Sequence, residues 1–122
     1  MLTLLNIQRQ LILFTIVCVG LFSATAFAHT SLKSSVPADA QTVPEVRQIS
    51  VEFGASIRLM TFTLTDAAGN TIPTDFARSS TKQSRFDIGV GTPLPNTSYS
   101  VGWMAMGDDG HKIDGNFRFV VE

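Results

Sequence analysis

Apolar residues at positions 49, 51 and 53, separated by polar ones, mark residues 46–53 as a strand with one buried face. The same two-residue period returns at Phe86, Ile88 and Val90 within 84–90. It is clearest at Tyr99, Val101, Trp103 and Ala105 within 97–106, and it closes the chain at Phe117, Phe119 and Val121 within 113–121. Residues 57–65 are rich in β-branched and aromatic side chains, which suit a pleated surface. Residues 29–36 form a candidate first strand, and 71–75 a short edge strand, because Pro73 cannot donate to a central ladder. Turn chemistry separates these runs: 37–40, Gly54-Ala55-Ser56 as a break, Asp66 to Asn70 as a hairpin turn, 76–83 as a loop, and Pro93 to Asn96. No stretch has helical periodicity, and no repeat or linker is evident. About seven short strands with regular turn signals predict an all-β fold, an antiparallel Greek-key β-sandwich of Ig-like type.

Residues 1–28 differ from the rest. Arg9 is their only charge, residues 11–22 are an apolar run, and Ala26-Phe27-Ala28 has the small residues of a signal-peptidase site. The run is shorter than the ~20 residues a membrane span requires. Residues 1–28 are therefore expected to be a cleaved signal peptide, and 29–122 a single exported domain. The one cysteine, Cys18, lies in the leader, so the mature domain has neither a disulfide nor a thiolate. That excludes blue-copper and zinc–thiolate centres. Without Arg9, eight basic residues face ten acidic ones, with no basic run of the kind nucleic acid requires.

The candidate chemistry lies in Asp108-Asp109-Gly110-His111-Lys112. In an extended chain the Asp109-x-His111 spacing puts a carboxylate and an imidazole on one side. Each has a plain reading: a histidine in a loop is ordinarily solvated, and an aspartate in a Gly-rich turn bonds its own backbone. Asp108 and Asp109 do not match a calcium loop. The other histidine, His29, becomes the first residue on cleavage after Ala28. Its α-amine, with a reference pKa near ~8, is readily deprotonated, and amine and imidazole can chelate one ion. Together with Asp109 and His111 this makes a nitrogen and oxygen donor set suited to Cu(II). Met104 and Met106 share one strand face and Met60 lies elsewhere, which reads as core packing rather than thioether ligation. Tyr99, just after a Pro-Asn turn, suggests a tyrosine corner. Asn96-Thr97-Ser98 reads as turn chemistry, and Lys112, Asp114 and Asn116 are candidates to orient the ligands.

Several segments, taken in order, resemble the CopC family of periplasmic copper-resistance proteins, including its YobA-type members. They are Ala28-His29, Ser35 to Asp39, Val51-Glu52-Phe53, Leu94 to Trp103, Asp109 to Lys112 and Gly115 to Phe119. The resemblance covers essentially the whole mature domain. It implies a cupredoxin-like sandwich holding Cu(II) through the N-terminal histidine and the Asp-x-His pair, here His29, Asp109 and His111. It also implies a CopD-type inner-membrane copper transporter as partner. Two departures stand out. Many relatives carry a glutamate near the copper where this chain has Ala55, and the Met-rich Cu(I) loop of some members has no counterpart here. The expected function is a monomeric periplasmic Cu(II) carrier or buffer, not an enzyme. A metal-free Ig-like interaction module and a copper oxidative enzyme of histidine-brace type remain the alternatives.

Overall fold

A computed structural model describes residues 32–122. They form seven strands and no helix: β1 (Leu32–Val36), β2 (Gln41–Val43), β3 (Gln48–Asp66), β4 (Thr71–Ile72), β5 (Gln83–Gly89), β6 (Ser98–Met106) and β7 (Lys112–Val121). The proposed beginning of the first strand, residues 29–31, and the leader lie outside the described residues.

The arrangement is a β-sandwich organised around β3. Its first half lies between β1 and β5, both antiparallel to it. Its second half pairs with the short β4 and with β6, and the order continues through β7 to β2. The expected break at residues 54–56 is not a turn. β3 runs through it for 19 residues, and the pairing with β5 slips between Glu52 and Ile57 as the strand leaves one layer and enters the other. Irregularities of this kind let one strand serve two sheets.

A second correction concerns strand direction. β2 pairs parallel with β7, from Gln41 opposite Phe119 to Val43 opposite Val121, so the sandwich is mixed rather than wholly antiparallel. Local polar bonds hold it: Ala40 N donates to Arg118 O at 2.7 Å, and Arg118 N donates to Asp39 Oδ1 at 3.0 Å. The expected edge strand at 71–75 shortens to Thr71–Ile72, after which Pro73 has no N–H to give and only the bridge Thr74 to Val90 remains. Its hairpin turn is as expected, with Asp66 Oδ1 accepting from the backbone N–H of Ala68 and Asn70 and Gly69 at φ +86°.

The alternating positions supply the core. Ile49, Val51, Phe53 and Ile88 from one layer meet Leu59, Tyr99, Val101, Trp103, Phe117 and Phe119 from the other. Phe53 and Trp103 join the layers edge to face, with ring centroids 5.0 Å apart. Tyr99 stacks on Phe119 at 5.5 Å, and its hydroxyl donates to Pro95 O at 2.7 Å, which is the expected corner. Trp103 lies opposite Gly115, where a Cβ would come within 2.6 Å of the indole Cζ2. The indole is held by Phe53 and is almost fully buried, so it has little room to retreat. Gly115→Ala is therefore expected to cost about 1–3 kcal/mol by overpacking. Thermal unfolding checks this at ~4–8 °C per kcal/mol for a domain of this size, and an unchanged midpoint would contradict it.

Candidate metal centre

β6 and β7 form a hairpin whose connection carries the candidate residues Asp109 and His111. Gly107 N donates to His111 O at 3.1 Å, and Gly110 N donates to Gly107 O at 3.2 Å, closing residues 107–111 into a tight loop. Gly110 sits at φ +78°, a conformation that side chains with a Cβ rarely adopt.

Within this loop Asp109 turns back on its own backbone. Its Oδ1 accepts from His111 N at 3.0 Å, and its Oδ2 lies 2.7 Å from His111 Nδ1. The two candidate ligands are therefore adjacent, but not because they share a strand face. Residues 108–110 form a turn, and an Asx-type bond brings the side chains together. The His111 hydrogen bonds, the side-chain one first, hold the Asp109 carboxyl below the usual aspartate range. An ionised carboxylate can only accept, so with Nδ1 donating to it, Nε2 is the ring nitrogen left to take up an ion. Both side chains are well exposed, at 84% for His111 and 66% for Asp109, which leaves that donor accessible to an ion.

Asp108 does not join them. It forms an ion pair with Lys82, which stands just before β5. Sequence reasoning missed this link, since nothing local marks a pair 26 residues apart. Lys112, Asp114 and Asn116 are exposed along β7, and none of them is a hydrogen-bond partner of Asp109 or His111, so their expected orienting role has no contact behind it. Ala55 is exposed at the corner of β3 and offers no donor. Among the described residues no group of three His, Cys, Asp or Glu side chains converges on one point. His29, the remaining candidate ligand, lies outside the described residues.

The methionines also depart from expectation. Trp103 and Ala105 point inward, so Met104 and Met106 face outward from β6, half-buried rather than in the core. Met60 is not remote from them. It occupies the slip in register between Leu59 and Thr61, and it lines the same surface pocket as Met106.

The chain matches the CopC domain model over residues 32–122. It is 30% identical over 108 residues to copper resistance protein C from Escherichia coli, covering 80% of this chain and 85% of that protein. Among solved structures it resembles PcoC, a methionine-rich copper resistance protein from Escherichia coli, with TM-score 0.65 and 29% identity over 78% of this chain and 100% of that one. CopC from Methylosinus trichosporium OB3b shares the fold at TM-score 0.65 and 19% identity, over 77% of this chain and 94% of that one. With the domain model spanning every described residue and the fold matching throughout, the chain belongs to the CopC domain family.

Proposed function

We propose that the processed domain, residues 29–122, is a periplasmic Cu(II)-binding protein that carries or buffers copper, with His29, Asp109 and His111 as its ligands. The observation that carries this reading is the Asp109–His111 pair, an exposed imidazole whose Nδ1 lies 2.7 Å from a carboxylate oxygen. Metal-binding histidines are commonly oriented through the second ring nitrogen in this way. The relatives named copper resistance proteins supply the choice of metal.

Topology supports a third donor from the start of the mature chain. Leu32 pairs with Phe53 and Arg58 with Met106, so the beginning of β1 and the 107–111 loop both adjoin the corner of β3. His29 precedes Leu32 by three positions, and an extended chain of that length reaches roughly 10 Å. Its amine and imidazole would complete a set of nitrogen and oxygen donors suited to Cu(II). Capture needs no catalysis, the domain acts as a monomer, and protonation of amine and imidazole donors returns the ion. A CopD-type inner-membrane transporter is the proposed recipient or source. Ala55, in place of the carboxylate that many relatives carry, favours a second reading, a metal-free interaction module.

A Cu(II) competition titration with EPR, on protein beginning at His29, separates the two. The control carries one extra residue before His29. Tight one-to-one binding that collapses in the control supports the N-terminal ligand. Equally weak binding in both sinks it and leaves the interaction module. At ~100 Kd of free ion, binding adds about 2.7 kcal/mol of stability, a visible thermal shift.

A further inference from the structure

Beside the 107–111 loop lies a pocket of about 410 Å³ lined by Arg58, Met60, Arg78, Ser79, Ser80 and Met106. Arg58 Nε donates to Ser80 O at 3.1 Å, which fixes the guanidinium against the segment between β4 and β5 that forms the rim. Among the described residues, Lys33, Arg47, Lys82 and Arg85 each have a carboxylate partner, whereas Arg58, Arg78, Lys112 and Arg118 have none, and of these four Arg58 and Arg78 line this pocket. Two unpaired guanidiniums thus meet in one pocket of a domain whose acidic residues outnumber its basic ones. The pocket is not merely cationic. Met60 and Met106 give it an apolar side that a small hydrated anion would leave uncovered.

We propose that this pocket docks an acidic segment of a partner protein, in which a carboxylate flanked by apolar side chains pairs with Arg58 and Arg78 while its neighbours cover Met60 and Met106. Guanidinium forks match carboxylates in bidentate geometry, and unbranched thioethers adapt to varied apolar partners. Because Arg58 and Met106 pair at the end of β6, a docked segment lies next to the loop carrying Asp109 and His111. The inference goes beyond the copper reading and does not depend on it.

The test is an NMR titration of the processed, metal-free protein with acetyl-Leu-Glu-Leu-amide, using acetyl-Leu-Gln-Leu-amide and inorganic phosphate as comparisons. The glutamate peptide is expected to shift the resonances of Arg58, Ser79, Ser80 and Met106 to saturation, and the glutamine peptide to leave them in place. Arg78→Gln removes a side chain with no ion-pair partner, so the fold is retained, and Arg58→Gln is added to it as a second variant. Losing the charge-assisted pairs should weaken binding on the order of tenfold in the double variant. Absence of shifts, shifts elsewhere, or equal binding of the glutamine peptide would overturn the proposal. Phosphate competing as well as the peptide would also overturn it, making the pocket a small-anion site.

Discussion

His111→Ala in protein beginning at His29 is expected to weaken Cu(II) binding by more than about a hundredfold, beyond the ~10–100-fold typical of losing a partner that only orients a ligand. The fold should barely register the change. The imidazole is 84% exposed, its side-chain bond goes only to Asp109, and the loop is closed by backbone bonds the substitution leaves in place. Exposed substitutions of this kind stay within about ±0.5 kcal/mol, so the metal-free melting point should move by no more than a few degrees. Asp109→Asn provides the internal comparison. If Asp109 acts by holding His111 Nδ1, the amide weakens binding without changing the EPR signature. If Asp109 is itself a ligand, the signature changes as well. Wild-type affinity in the His111 variant would remove the site from this loop altogether.

What the sequence disclosed, and what it did not, follows from the range over which each feature is encoded. β6 was legible because nine residues of strict alternation leave one solution, and Tyr99, Val101, Trp103 and Ala105 are buried as that alternation requires. The same alternation places Met104 and Met106 outside, since their neighbours point in; that they share a strand face does not by itself say which face is the core. Residues 54–56 were ambiguous for a physical reason. Gly-Ala-Ser suits a turn and a bulge equally, and only the partner strands on either side decide that β3 continues. Three residues of β2 are too few to show a period, and their parallel pairing depends on β7, far along the chain. At the site, the residues were legible but the geometry was not. Asp109 and His111 do meet, yet through a turn rather than a shared strand face. The Lys82–Asp108 and Arg58–Ser80 links are long-range pairings that no local pattern announces.

The largest expected loss of stability comes from Phe53→Ala. Phe53 is 2% exposed and meets Phe86 at 6.1 Å and Trp103 at 5.0 Å, both edge to face. It thereby touches β5 in one layer and β6 in the other, and it stands immediately before the corner where β3 changes layer. Truncating a buried phenylalanine costs about 3–5 kcal/mol, through lost burial and the cavity left behind. Against the ~5–15 kcal/mol of a typical domain, that is a large share of the whole. Urea unfolding should show a midpoint shift of this size with the slope unchanged, and Phe53→Leu should recover a substantial part of it. Phe53 is also the partner of Leu32 at the start of β1, so the cavity opens at the end of the molecule where an N-terminal ligand would enter. Copper affinity should therefore fall too, but by less than in His111→Ala, because the donors survive while their placement loosens. A cost below about 1 kcal/mol would mean that the core redistributes around the cavity, and the corner of β3 would then owe its shape to the backbone ladder rather than to this ring.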